Sequence, residues 1–594
     1  MHLFTTTAPL KRLLSLSFTL ALFLSCAAGP AHAQQAQQQD VAQDAPPVQQ
    51  HDDPLPTRFG DGSGEYGQLL SGLGRLIMGA QSIEYLGGRE RRVNVGWLRD
   101  EVHALKGAKY FAPSVRDFVE LFLMRQTEAG FYYDYVYPLT SDIASRLNFF
   151  DPMYWHVYPQ EGIQMHRLPI EADVEYLAVK GTQHIWQATG DTSFVEKWLP
   201  SLEQGLRYTT GDTLRWSTEH QLVKRGYTID TWDFRQLTLD GRTPVTPQEW
   251  AQQKGDPSRA HMDIDAQTPM GIFHGDNSGV YEAERLLAGM HRALGHDAAA
   301  RAWNHEAAAL RARANELLWE GDYYQQFVPV DSLPDWYPND FPDRLSLSNT
   351  YDINRGLPTQ AMSADIIQTY RDLRSDSTFA AWYTLHPAVK PYFGGHEPGT
   401  YVNGGLTTVV AGELAKAAFQ HGFEQYGAQI LRRAYDLMQR HDGKLPVMLK
   451  RDGSADSGAP DNWGQAALVS ALTEGLAGVV DEGTLFERAE VSPRWTAAGI
   501  DEVENVTVAY GPSGAEVQYD VRHDASGDQI TLALRGDAER YDVRLLLPEG
   551  ADASGASATV NGENASSRIE TVRESHYLVV EGVPGGATTV RARW

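Results

Sequence analysis

Residues 186–198 read WQATGDTSFVEKW. Apolar residues fall at helical spacing on both sides of Gly190-Asp191. Glycine ends a helix because it enters the left-handed conformation at no steric cost, and aspartate starts one by accepting an otherwise unpaired amide proton. The stretch is a helical hairpin with a very short turn. The same construction recurs at RALGHDAAARAW (292–303) and FQHGFEQYGAQIL (419–431). Between successive pairs run long connections that hold most of the clustered acids and aromatics.

Further helical periodicity covers GEYGQLLSGLGRLIMGA (64–80), PSVRDFVELFLMRQ (113–126), PTQAMSADIIQTYRDL (358–373) and NWGQAALVSALTEGLAGV (462–479). With the hairpins, this gives ten or eleven helices, and the weakly periodic stretch 89–110 supplies another. Five to six hairpins in about 400 residues predict a closed ring of paired helices, a mainly-α (α/α)6 toroid, over residues 61–485. Short turns on one side force the long connections to the opposite rim. From residue 486 to 594 the period changes to two, as in VTVAYGPSGAEVQYDVR and HYLVVEGVP, with Gly, Pro and Asn-Gly breaks. This predicts an antiparallel β-sandwich with a structural role.

The N-terminus carries Lys11-Arg12, an apolar run and Ala31-His32-Ala33, which together read as a signal peptide cleaved after Ala33 and imply a secreted or periplasmic protein. Cys26 is the only cysteine, and Phe23 stands where a lipoprotein signal carries Leu, which favours plain cleavage. The mature chain then has no disulfide, thiolate metal site or cysteine nucleophile. Residues 34–60, rich in Gln, Pro and Asp, read as a disordered tether. A formal net charge of -26 argues against nucleic acid and anionic membrane surfaces as partners. Fourteen Trp and 27 Tyr leave ample rings for stacking on sugars.

The stretch RGYTIDTWDF (225–234) seats Asp230 and Asp233 among Tyr227, Trp232 and Phe234 outside any regular periodicity. Glycosidic bond hydrolysis needs one protonated carboxyl at the leaving oxygen and one ionised carboxyl as base or nucleophile. An aromatic wall raises the donor's pKa by desolvation. Asp233 is the candidate acid, and Asp230 orients it or binds a hydroxyl; both also suit helix capping or pairing with Arg225. Other polar clusters stand at helix starts: Trp97, Arg99 and Asp100; His166 and Arg167 ahead of Glu171 and Asp173; His274 and Asp276; Asp352 and Arg355. Capping accounts for each as well as substrate binding does. Glu397 is the only acid of the glycine-rich stretch 394–405, and Asp461 lies two residues before Trp463. Asp263 and Asp265 are spaced like calcium ligands, but the rest of such a loop is missing, so neither metal nor cofactor is expected.

With these residues in place, the chain resembles the six-hairpin glycosidases, especially the amylo-α-1,6-glucosidase end of glycogen debranching enzymes and, more loosely, the trehalases. Thr231-Trp232-Asp233-Phe234 resembles the passage holding their general acid, and GTYVNGGLTTVVAGELAKAAFQHG (399–422) resembles a Gly-Thr-Val-Trp-Pro passage and its helix. The resemblance covers roughly residues 90–480 and implies an inverting exo-glycosidase acting on neutral, α-linked gluco-type oligosaccharides. Those enzymes carry their base as a Glu before Phe-Asp-Gly, whereas residues 447–453 read VMLKRDG with no Glu. The base then falls to Glu397 or Asp461. Alternatives are a lyase or unsaturated-uronyl hydrolase using His166, Arg167 and Tyr154, or a sugar-binding protein without activity.

Overall fold

The computed structural model describes residues 55–594 except 61, 94–95, 141–150, 231, 233–234, 240–242, 255–261, 265–267, 336 and 457–461. Thirteen α-helices lie among them: α1 (Glu65–Gly79), α2 (Leu98–Ala108), α3 (Asp117–Leu123), α4 (Val174–Thr189), α5 (Thr192–Gly211), α6 (Pro247–Lys254), α7 (His274–Ala293), α8 (Asp297–Leu318), α9 (Ser348–Arg355), α10 (Gln360–Asp372), α11 (Thr408–Gln420), α12 (Glu424–Arg440) and α13 (Asn462–Ser470).

The hairpin at 186–198 forms as its residues dictate. α4 stops at Thr189, Gly190 takes φ 66°, and the Asp191 side chain accepts the Phe194 amide of α5. Gly295 (φ 75°) and Gly422 (φ 79°) do the same for the pairs α7–α8 and α11–α12. In each hairpin the first helix is inner and the second outer. The inner helices α2, α4, α7, α9, α11 and α13 touch one another in that order, and α13 returns to α2, closing a ring. The outer helices α3, α5, α8, α10 and α12 back them, and α1 completes the last pair by packing on α13.

Burial separates the two layers. α8 buries six of its 22 residues (Ala300, Trp303, Ala307, Leu310, Ala314 and Leu318), a single stripe at helical spacing. α11 buries 11 of 13, because it is enclosed on all sides. Such crowding requires small residues: a Cβ on Gly412 would lie 2.3 Å from the Ala467 carbonyl carbon of α13. Inner helices α2, α4, α7, α9 and α11 each enter from a long connection and leave by a shorter one, and α13 also enters from a long connection before the chain runs on to the sandwich, so the inner N-termini gather at one rim.

Two inner-layer features depart from the sequence reading. Residues 351–356, expected as a polar cluster ahead of a helix, are the second half and C-cap of inner helix α9 itself. Their polar side chains face a buried polar network rather than an apolar core, so no apolar period betrays them. The long connections also carry small sheets, such as Tyr135–Pro138, Ile163–His166 and Trp155–Tyr158 in one three-stranded sheet. The chain is thus a helical ring with substantial β structure.

Toward the C-terminus two sheets face each other. One has the strand order Val479–Asp481, Arg488–Val491, Arg540–Leu546, Ser575–Pro584 and Arg568–Val572. The other runs Glu502–Ala509, Glu516–Asp524, Gln529–Gly536, Thr588–Arg593, Ser557–Val560 and Glu563–Ala565. The expected antiparallel pattern needs one correction, since Arg488–Val491 pairs in parallel with Arg540–Leu546. Arg488–Val491 forms an antiparallel hairpin with Val479–Asp481, and the long stretch of chain between it and Arg540–Leu546 lets those two strands run in the same direction.

Residues 1–54, and with them the expected leader and most of the tether, lie outside the described residues. The stretch 55–60 is not a free tether. Arg58 and Thr507 exchange two backbone hydrogen bonds of 2.9 Å, and the buried Thr57 hydroxyl donates to the Ala509 carbonyl at 2.8 Å.

Candidate functional site

The rim formed by the inner N-termini gathers most of the polar residues read from the sequence. Arg99, in the first turn of α2, reaches Asp173 ahead of α4: Nε lies 2.7 Å from Oδ2, and Nη2 donates to Oδ1 at 2.9 Å. Arg99 Nη2 also lies 3.0 Å from Glu171 Oε1. Asp134, fully buried beside this group, has its carboxyl pushed up by burial, a shift that the Arg99 charge opposes. The sequence reading passed over Asp134, although FYYDYVY (131–137) sets one acid amid aromatics much as 225–234 does.

Across the rim, Arg225 Nη1 lies 3.4 Å from Asp276 of α7, and Arg225 Nη2 donates to the Trp232 carbonyl at 2.7 Å. Burial pushes Asp276 up to about 6, with Arg225 pulling the other way and Asp173 and Asp230 adding to the rise. Trp232 is thereby anchored to the residue that pairs with Asp276.

Half-buried rings line the same side. Trp463, in the first turn of α13, stacks on His103 of α2 with centroids 4.3 Å apart, and its Nε1 donates to Tyr351 Oη of α9. Trp232 lies 6.2 Å from Trp463 and 5.4 Å from Tyr401, and Tyr401 lies 4.8 Å from His396. Trp97 rests 4.1 Å from Tyr135. The glycine-rich loop is tied to the 225–236 region, since the Gly394 amide donates to Gln236 Oε1 at 2.8 Å. Polar groups next to apolar rings, partly open to solvent, are the usual ingredients of a ligand pocket.

The candidate carboxylates separate. Asp233 and Asp461 fall outside the described residues. Glu397 is exposed on the glycine-rich loop, next to His396. Asp230 is fully buried with φ 45°; its Oδ2 accepts the Ser348 amide at 2.8 Å, at the start of α9. A Cβ on Gly275 would come within 2.8 Å of Asp230 Oδ1, so Asp230 sits wedged under the starts of α7 and α9. Helix support, one of its two sequence readings, is the one this geometry describes. Asp100 is half-buried in the first turn of α2.

Other expected binders are committed to the scaffold. Arg167 donates to both Glu175 oxygens at 2.9 and 3.1 Å and to the Glu171 carbonyl at 2.8 Å. Tyr227 is fully buried in an apolar cluster and donates to the Asp331 carbonyl at 2.5 Å. Arg355 lies across the rings of Tyr176 and Tyr351 and donates to the Gly275 carbonyl and the Ser278 hydroxyl. Burial brings His166 down to about 3, which leaves it neutral. A uronate would need a free cation here, and neither His166 nor Arg167 supplies one. Asp263 is half-buried and Asp265 lies outside the described residues; among those described, no group of three or more His, Cys, Asp or Glu is placed to hold a metal ion.

The fold defined by the closed ring and its sandwich is shared with large carbohydrate-active enzymes. The α-L-rhamnosidase of Dictyoglumus thermophilum matches at TM-score 0.51 and 11% identity over 91% of this chain. A GH78 family rhamnosidase of Bacillus sp. GL1 matches at TM-score 0.54 and 14% identity over 84%, and the Streptomyces avermitilis α-L-rhamnosidase complexed with L-rhamnose at 0.51 and 13% over 91%. The chain spans 51%, 43% and 42% of those structures' own lengths. At such identities the likeness concerns the fold. No protein-family model matches the chain, and no curated protein matches it.

Proposed function

We propose that this protein is a glycoside hydrolase whose ring is an (α/α)6 toroid of the inverting kind, acting on neutral oligosaccharides bound at the rim of inner N-termini. One observation carries the proposal. The three candidate carboxylates all adjoin, in sequence, the half-buried aromatic wall: Asp233 follows Trp232, Glu397 follows His396, and Asp461 stands two residues before Trp463. Aromatic faces bind the apolar faces of sugar rings and exclude water from the proton donor, which holds the donor's pKa up.

Asp233 protonates the leaving oxygen, and Glu397 or Asp461 activates water on the opposite face, a geometry that calls for carboxyls about 6.5–9.5 Å apart. Trp97, Trp232 and Trp463 shape the sugar subsite, and Asp100 binds a hydroxyl. Arg99 and Asp276 act from behind this layer: Arg99 fixes the Glu171–Asp173 pair, and Asp276 holds Arg225, which holds Trp232. The sandwich that follows the ring is structural. The first 33 residues direct export and are cleaved.

The test is a screen of purified protein on α- and β-linked gluco-, galacto- and rhamno-oligosaccharides, with product anomers followed by NMR. Expected are inversion at the anomeric carbon and a loss of at least 10³-fold in kcat for Asp233→Asn on a poor leaving group. An active wild type whose Asp233→Asn variant keeps full kcat removes the assignment. Comparison of Glu397→Gln with Asp461→Asn identifies the base.

A further inference from the structure

Below the rim, the axis of the ring holds a second polar region that the sugar chemistry does not use. Inner helices α2, α4, α7, α9 and α11 all send charged side chains toward it. It encloses a cavity of about 40 Å³ lined by Lys106, Lys180, Lys416, Arg355, Glu282 and Glu413, together with His103 and His184.

On the lining itself, cations outnumber carboxylates. Lys106 pairs with Glu413 and Lys180 with Glu282, which Arg355 also approaches at 3.9 Å. Lys416 and Lys109 share Glu474. Four cations and two carboxylates thus line the cavity, with Glu474 behind Lys416 and the Asp352 charge acting on Arg355 from outside the lining.

The histidines add a second indication. His184 is 5% exposed, lines the cavity, and neither of its ring nitrogens has a hydrogen-bond partner. Burial and the neighbouring lysines hold it well below its ordinary pKa, so it is a neutral imidazole with one N–H to donate. Buried polar atoms normally find a partner, and one that has none while facing a cavity marks a place for a ligand. At about 40 Å³ the cavity exceeds the roughly 10–15 Å³ that one water needs, so it has room for about three waters or for one small anion with water beside it.

We propose that this cavity binds a small monovalent inorganic anion of chloride size, held by the excess charge of the axial lysines and the His184 N–H. The anion places one negative charge against a lining in which cations outnumber carboxylates four to two. It also underpins the rim, because His103 touches both regions: it lines the cavity and stacks under Trp463. The inference does not rest on the proposed hydrolase activity.

The experiment uses the full-length protein crystallised in sodium bromide and, separately, melted in chloride, bromide, nitrate or gluconate at equal ionic strength. Expected are an anomalous bromide peak between Lys180 and His184, and a saturable rise in Tm of several degrees in the three small anions but not in gluconate. Lys180→Met, which leaves Glu282 with Arg355, is expected to abolish the rise. A dry or water-filled cavity in the bromide crystal overturns the proposal, as does a rise in Tm that gluconate reproduces or that Lys180→Met leaves unchanged.

Discussion

The Asp230 carboxylate accepts the Ser348 amide proton at 2.8 Å, joining two segments 118 residues apart at the point where inner helix α9 begins. Asp230 adopts φ 45°, a conformation that Asp, Asn and Gly tolerate and most residues do not. Asn preserves both the backbone preference and an oxygen acceptor, whereas Ala removes the acceptor and strains the backbone. Asp230→Asn is therefore expected to lose under about 1 kcal/mol of stability and to keep most of kcat, while Asp230→Ala loses about 2–3 kcal/mol. Urea unfolding with parallel kinetics checks this. An inactive but fully stable Asp230→Asn would return Asp230 to the chemistry.

Glu284 of α7 is 3% exposed, and its Oε2 has no hydrogen-bond partner. Burial pushes it up to about 8, with Glu306 adding to the rise. Its folded pKa exceeds the ordinary 4.5, so the folded state holds a proton that the unfolded state has released between those values. That contribution is fully present below pH about 4.5 and is lost as pH rises through about 8. Glu284→Gln keeps the shape and the neutral state. It is expected to match the wild type near pH 4 and exceed it by a few kcal/mol above pH 8. Melting curves across that range decide the matter, and parallel pH profiles for the two proteins would contradict the expectation.

What the sequence made legible follows from how each element is stabilised. The hairpin at 186–198 announced itself because Gly190 and Asp191 perform purely local tasks, ending one helix and capping the next. Outer helices such as α8 were equally plain, since one face packs and the other meets water. Inner helix α9 was not: Ser348, Asn349, Thr350, Asp352 and Arg355 are all buried, and apart from Thr350, which bonds the Leu347 carbonyl, they have partners distant in sequence. Asn349 holds Tyr324, and Asp352 holds His274 at 2.5 Å. The same reason explains the mixed record at the rim. Arg167 and Tyr227 are the right residue types for sugar binding, but whether they face a ligand or Glu175 and Asp331 depends on contacts that spacing does not encode. The aromatic wall was half visible: Trp232 and Trp463 stood beside acids, while His103 and Tyr401 joined only through the closed ring.

Trp463 couples the wall to the floor beneath it, through His103 on one side and Tyr351 on the other. Trp463→Ala removes a stacking face and leaves the Tyr351 hydroxyl without its donor. KM for the best oligosaccharide is expected to rise at least tenfold, about 1.4 kcal/mol, with a smaller change in kcat. Trp463→Phe restores the ring without the N–H and is expected to recover most of the affinity. A KM unchanged in Trp463→Ala would place the sugar elsewhere on the rim.

The segment just ahead of α1 offers a final test, because its contacts bind the ring's first helix to the sandwich. Arg58 and Thr507 exchange two backbone hydrogen bonds of 2.9 Å. The Thr57 hydroxyl accepts from the Ala509 amide and donates to the Ala509 carbonyl, each at 2.8 Å. Phe59 is 5% exposed and meets Trp495 edge-on at 5.2 Å. Burying one such ring contributes about 1.5–3 kcal/mol, and each net hydrogen bond about 1 kcal/mol. Removal of residues 1–54 leaves all of these contacts in place and is expected to leave Tm unchanged. Removal of residues 1–60 deletes them and is expected to cost a few kcal/mol, read as an earlier transition of the sandwich by near-UV circular dichroism. Equal melting of the two truncations would show that these contacts add nothing to the hold of α1 on the sandwich.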